Sequence, residues 1–225
     1  MQKPSVRVER IGNEGQPVAI IDNFAPDPER LRRDAQSLSY SDMGGNYPGI
    51  RANVATSYFD GLGAVLVPTI RALFGHQQKA NFVGAYYSLA TTPPDQLALQ
   101  QRVPHIDRPE TNQLAIVHYL SHDDQGGTAF YRHRSTGYET VTSERHANYI
   151  AALGQDFARH GEPEPSYISG DTAMFEQVLR VEPLFNRAIM FRCCLLHCAM
   201  LANDSIFASD PITGRLTAVS FIALT

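Results

Sequence analysis

The chain has 225 residues, 43% hydrophobic and 19% charged, the composition of an ordinary globular protein and long enough for one sizeable domain. A net charge of −4 offers no basic field for nucleic acid, and no apolar run reaches the roughly 20 residues of a membrane span. The opening MQKPSVRVERIG lacks a signal peptide's apolar core, and three clustered cysteines, Cys193, Cys194 and Cys198, form a poor disulfide framework that suits a reducing cytoplasm.

Val6–Ile11 alternates as an edge strand would, and the apolar PVAIIDNF (17–24) reads as a buried strand. Asp27-Pro28 supplies an N-cap and a first-turn proline, so residues 28–38 are expected as an amphipathic helix with Leu31, Ala35 and Leu38 on one face. Residues 41–53 hold Gly44, Gly45, Pro48 and Gly49 and read as a loop of the kind that covers a site; Arg51 at its end is a candidate for substrate contact. Residues 60–74 read as helix, kinked or restarted at Pro68. A strand over 81–90 and a proline-punctuated loop follow.

The stretch HIDRPETNQLAIVHYLSHDDQGGTAFY, His105 to Tyr131, carries the chemistry. His105 and Asp107 stand two apart, so on extended backbone they aim an imidazole and a carboxylate the same way. A distant histidine would complete a two-His-one-carboxylate set, which suits non-haem Fe(II); His197, in AIMFRCCLLHCAM, is the best candidate. A second His-x-Asp, His122 and Asp124, sits in a polar turn where solvated side chains are the rule. Residues 114–120 alternate as a strand, with Ala115, Val117 and Tyr119 on one face and Ile116 and His118 on the other. Residues 143–157 read as a helix capped by Ser143 and inserted into the β-rich part; strands are expected over 176–181, 188–193, 195–200 and 215–224. CCLLHC could be read as a zinc site, but adjacent cysteines on a strand face opposite ways, and small buried thiols are the simpler reading. The pattern alone supports a β-rich α+β protein.

His-x-Asp, LAIVHYL, a turn to GGTAF, NRAIMFRCCLLH and finally GRLTAVSF, in that order, resemble the Fe(II)/2-oxoglutarate-dependent oxygenases, particularly their prolyl-4-hydroxylase-like branch. The resemblance covers residues 81–225 and implies a double-stranded β-helix, or jelly roll, with helices of residues 1–80 packed on one sheet and a helical insertion near 143–160, all in one domain. It implies Fe(II) on His105, Asp107 and His197. It also implies 2-oxoglutarate as cosubstrate, with Arg215 at the head of the last strand meeting its far carboxylate, helped by Thr217, Tyr119 and, as a weaker match, Tyr87. It turns His118 outward, under the helices. Tyr131 and Arg134 are further candidates for substrate contact, and Arg132, His133 and Arg134 would rim the mouth or form a solvated hairpin tip. Two departures stand out: the 18 positions from His197 to Arg215 exceed the family's usual spacing, and the insertion is unlike the compact members.

The implied activity is a dioxygenase acting as a hydroxylase; Asp107 argues against halogenation, which needs a small residue there to free a site for halide. The substrate, a small molecule or a protein side chain, and the oligomeric state are not readable. The rival reading is a cupin-like module that binds metal or ligand without oxygenase activity. Arg215 separates the two, because a plain cupin needs no cation on its cavity floor.

Overall fold

A computed structural model describes residues 2–75 and 79–225. Among these described residues, ten strands and three α-helices run in the order β1 (Ser5–Ile11), β2 (Gln16–Asp22), α1 (Pro28–Gln36), β3 (Gly49–Asn53), α2 (Gly63–Phe74), β4 (Ala80–Ala90), β5 (Gln113–Tyr119), β6 (Thr128–His133), α3 (Ser143–His160), β7 (Phe175–Val181), β8 (Ala188–Arg192), β9 (His197–Ala199) and β10 (Leu216–Leu224). They make two antiparallel sheets. Seven strands follow the order β1-β2-β8-β5-β10-β4-β3, and three follow β7-β6-β9. The class is the β-rich α+β expected from the sequence.

Alternation along the large sheet decides which side chains meet the small one. Register aligns Arg51 of β3 with Ser88 of β4, Ser88 with Thr217 of β10, and Thr217 with Tyr119 of β5. This row belongs to the face that looks toward the small sheet. There Val18, Ile20, Ala115, Ile189 and Phe191 pack against Phe130 and Val181. The neighbouring row, Tyr87, Ala218, His118 and Ala188, looks the other way. It is covered by α1 and α2 through Leu31, Ala35, Val65, Leu66 and Ile70. A third cluster lies beyond the small sheet, where Tyr149 of α3 and partly buried Leu153 and Phe157 cover Tyr131, Phe175 and Leu196.

Local chemistry explains most boundaries. Asp27 caps α1, its carboxylate accepting from the Arg30 N–H at 3.0 Å. Pro68 sits inside α2 without ending it. The N-cap of α3 falls one residue before the expected one: Thr142 holds that position without a side-chain bond, and Ser143 is already helical. The segment expected as loop over 41–53 contains a strand. β3 pairs with β4 at the sheet edge, and Arg51 is tied again on its other side, exchanging both backbone hydrogen bonds with Ser41. The glycines and prolines that suggested a loop crowd into 44–49, just ahead of it.

His118 is fully buried in the outward row, its Nε2 3.0 Å from Asn186 Oδ1 and its ring edge-on to Phe24. It packs under the helices, as expected. His122 pairs with Glu29 at 2.9 Å in a partly exposed turn, and Asp124 caps the Gly126 N–H; neither takes part in a cluster of metal-binding groups. The three cysteines are buried free thiols. Among the described residues, no helix is long and apolar enough to cross a membrane.

Candidate metal centre

His105 and Asp107 lie just before β5, yet backbone pairing places them beside the small sheet. His105 exchanges two backbone hydrogen bonds of 2.9 Å with His197 of β9, and the Asp107 N–H donates to the Cys193 carbonyl at 2.9 Å. Residues far apart in sequence are thereby held in register before any side chain contributes. The three side chains each present a ligand atom, all within 4.8 Å of one another. His197 Nε2 stands 3.6 Å from one Asp107 oxygen, and His105 Nε2 stands 4.0 Å from the other. The His105 and His197 rings lie 4.5 Å apart, and Phe191 meets His197 edge-on at 4.6 Å.

Protonation suits a cation. His197 Nδ1 lies 2.8 Å from the Leu195 carbonyl, an acceptor only, so Nδ1 carries the proton and donates it. Nε2 is then the ring nitrogen turned to the cluster, and the Nδ1 contact is the outer hydrogen bond a metal-binding histidine needs. Enclosure by protein pulls the His105 imidazole down to about 3, reinforced by the positive field of His197 and Arg51. Burial pushes the Asp107 carboxyl up, opposed by His197, Arg51 and Arg108. Two imidazoles beside a carboxylate are a donor set for a divalent ion with preferences like those of Fe(II).

The cluster opens on a cavity of about 620 Å³ between the sheets. Arg215 lies on its wall, one residue before β10, and is only 4% exposed. Its Nε donates to the Gly126 carbonyl at 3.0 Å and an Nη to the Gly127 carbonyl at 2.9 Å. Among the described residues no carboxylate lies within ion-pairing reach of it. Thr217, one step along the same face, turns a buried hydroxyl to the cavity with no protein partner among the described residues, and Ser88 beside it is likewise unpartnered. A buried guanidinium with carbonyl partners only is costly unless an anion completes it. Together with the unpartnered hydroxyls it makes a positively charged, polar stretch near the cavity.

The other candidate residues divide. Arg51 reaches the cavity, its guanidinium 4.2 Å from the Tyr47 ring and 5.7 Å from Tyr86. Tyr119 is on the inward face as expected, but its hydroxyl donates to Thr128 Oγ1 at 2.7 Å, so Thr128 lines the cavity with Tyr119 behind it. Tyr87 is a correction. Paired with Ala218 in the outward row, it is buried beneath the helices with Tyr58, and Tyr86 takes the inward position. Tyr131 is another. One step beyond inward-facing Phe130, it packs on the far side of the small sheet with Phe175 and Leu196. Arg134 is the third: it is bound to Asp171 at 2.9 Å and to the Thr172 carbonyl, away from the cavity. Nor do its neighbours rim a mouth. Arg132 is salt-bridged to the fully buried Glu139, and His133 is sealed beneath α3, 3.0 Å from Asp156.

Sequence reasoning missed Tyr47. Its hydroxyl is buried near Thr217 and Ser88, and burial raises its pKa against the fields of Arg215 and Arg51. A lone tyrosine in a Gly/Pro-rich segment carries no periodic signal; its placement depends on β3 closing the sheet edge.

No curated protein matches the sequence. Among solved structures, HygX from Streptomyces hygroscopicus with nickel, 2-oxoglutarate and hygromycin B bound is 12% identical, with a TM-score of 0.54 over 93% of this chain and 84% of that one. The same protein with nickel and 2-oxoglutarate bound gives 0.51 over the same shares, and with iron bound 0.50 over 93% and 83%, both again at 12% identity. At that identity these are likenesses of fold. A sequence family spans nearly the whole chain: residues 2–222 match the family of unknown function DUF6445, and the protein belongs to that family.

Proposed function

We propose that the protein is a non-haem Fe(II)- and 2-oxoglutarate-dependent dioxygenase, a hydroxylase of a small molecule or a protein side chain, built on a double-stranded β-helix. The observation that carries this reading is the joint placement of the His105, Asp107 and His197 donors and an acid-free buried Arg215 on one cavity. His105, Asp107 and His197 would hold Fe(II), which supplies the redox chemistry of O2 and a 2-oxo acid that no side chain here can supply. Arg215 would grip the far carboxylate of 2-oxoglutarate through the guanidinium edge not spent on Gly126 and Gly127, with Thr217 donating to the same group. Val117, Val219 and Phe221 make part of the chamber wall apolar, which strengthens those contacts. The fold likeness to HygX, whose structures hold nickel or iron and 2-oxoglutarate, supports the same reading.

The test is anaerobic addition of Fe(II) and 2-oxoglutarate to the purified protein. A visible charge-transfer band that needs both components is expected. Tight Fe(II) binding with no band at saturating 2-oxoglutarate would point instead to the cupin-like binding module.

A further inference from the structure

Arg51 is the partly buried charged group of the cavity that metal and cosubstrate leave unmatched. It comes from edge strand β3, tied by backbone bonds to β4 and to Ser41. Its guanidinium is held over Tyr47 at 4.2 Å and near Tyr86 at 5.7 Å, and its Nε is buried without a protein acceptor among the described residues. No described carboxylate pairs with it, although the chain is rich enough in acids to ion-pair eight of its other arginines. Its field reaches both His105 and Asp107, so it shares their chamber.

Charge identifies what it meets. On the reading proposed above, a divalent metal, the Asp107 carboxylate, a dianionic 2-oxo acid and Arg215 sum to zero. Arg108 also lines the cavity, but it is exposed and solvent screens it, so Arg51 stands as the one uncompensated positive charge that is partly withdrawn from water, a state that costs free energy until an anion arrives. The flanking rings fix the plane of the fork, which suits a planar carboxylate accepting two parallel N–H bonds. The mouth has a different character. Val83 and Met43 line it while being more than 40% exposed, and Phe221 and Val219 continue the apolar surface inward. Val83 is the extra residue where the β4–β10 register shifts at Phe221/Ile222, a bulge that frees it from the strict alternation of the strand. Exposed apolar side chains at the lip of a charged cavity are the surface an apolar ligand body would cover.

We propose that the substrate is a small organic acid with an apolar body, its carboxylate held by Arg51 between Tyr47 and Tyr86 and its body lying along Val83, Val219 and Phe221.

The proposal rests on the dioxygenase reading for its charge count, and its test is chosen to fail separately. Ligand-observed NMR would measure binding of hexanoate, 4-phenylbutyrate and N-acetylleucine, each beside its primary amide. The protein would be loaded with Zn(II) and 2-oxoglutarate, so that no turnover intervenes. The wild type is expected to bind at least one acid about tenfold or more tighter than its amide, the size of a partly desolvated charge pair. Arg51→Gln should abolish that preference and Arg51→Lys should restore part of it. In both variants 2-oxoglutarate affinity, followed by the anaerobic Fe(II) band, should stay within about threefold. Circular dichroism melts would confirm that both variants fold. Equal binding of acids and amides, no binding of any acid to wild type, or an acid preference that survives Arg51→Gln would overturn the proposal. So would a loss of 2-oxoglutarate affinity in Arg51→Gln, which would assign Arg51 to the cosubstrate. Absence of the iron band in a protein that still prefers acids through Arg51 would count against the dioxygenase reading alone.

Discussion

At the scale of single residues, a contrast between two arginines organises the site. Arg132 is salt-bridged to Glu139 and Glu176, whereas Arg215, more deeply buried, has only two carbonyls. Carbonyl dipoles orient a guanidinium without neutralising it, and on the proposed reading the anion that does so is 2-oxoglutarate. Truncating one partner of a buried charge pair costs about 2–5 kcal/mol. Arg215→Ala should therefore weaken 2-oxoglutarate binding roughly 30- to 4,000-fold at about 1.4 kcal/mol per tenfold. Fe(II) affinity should change far less, because no donor is removed. Titration of each ligand into wild type and variant checks this, and unchanged 2-oxoglutarate affinity in a folded Arg215→Ala protein would remove the anion-binding role. Asp107→Ala should do the reverse, removing Fe(II) binding, which calorimetry with Fe(II) under argon would record.

At the scale of elements, the turn from β5 into β6 does more than connect them. Gly126 and Gly127 offer the two carbonyls that aim Arg215, and both glycines are required by crowding. A Cβ on Gly126 would fall 2.0 Å from the Met200 carbonyl at a φ of +85°, and one on Gly127 would fall 1.9 Å from the Val181 carbonyl. Neither backbone oxygen can yield cheaply, since Val181 and Met200 flank the turn from β7 and the end of β9. Gly127→Ala should thus displace the turn and release Arg215, lowering 2-oxoglutarate affinity by tenfold or more while the three metal donors stay in place. Retained 2-oxoglutarate affinity in that variant, measured by the iron band, would show that Arg215 does not depend on the turn for its aim. Legibility is uneven at this scale. β5 and β10 alternate and are readable, whereas β3 is a five-residue edge strand behind a Gly/Pro-rich run, with no pattern of its own. The residues following β6 misled for a related reason: Arg132, His133 and Arg134 look solvated in one dimension, but α3 and the segment 135–140 fold over them and supply Asp156 and Glu139.

At the scale of the whole molecule, two sheets and the helices flanking them depend on buried neutral groups, and this makes stability depend on pH. Burial pulls His118 down to about 4, with the Asn186 hydrogen bond opposing only part of the shift. The unfolded chain protonates this histidine near 6.5, so between pH 6.5 and 4 the unfolded state binds the extra proton and gains on the native state. The contribution is fully present above pH 6.5 and is lost progressively as pH falls toward 4, by about 3 kcal/mol at roughly 1.4 kcal/mol per pH unit. Urea melts from pH 7.5 to 4.5 should show this decline in wild type and a shallower one in His118→Gln, which keeps a polar group for Asn186 but cannot be protonated. Parallel slopes would place the proton uptake elsewhere. A divalent ion held only by the native cluster should add about 2.7 kcal/mol at a hundredfold excess over its dissociation constant. Thermal melts with Zn(II) or Fe(II) should show that gain in wild type and lose it in Asp107→Ala.

The sequence by itself determined the spacing of His105 and Asp107, the strand period that sets Tyr119 and His118 on opposite faces, and the N-cap of α1. Each is a local property: spacing of two on extended backbone, or one carboxylate next to one proline. It determined the order of the motifs as well, and from it the place of Arg215. Only the tertiary structure decided which of two adjacent tyrosines, Tyr86 or Tyr87, faces the cavity, because one step of register exchanges the faces and nothing in AYYSLA marks which is covered. It also decided that Arg51 lies beside the metal donors while Arg134 does not. Both are arginines near glycine in polar surroundings. The difference is made by partners distant in sequence, Tyr47 and the β4 edge for one, Asp171 and Thr172 for the other, and such partners become neighbours only when the strands pair.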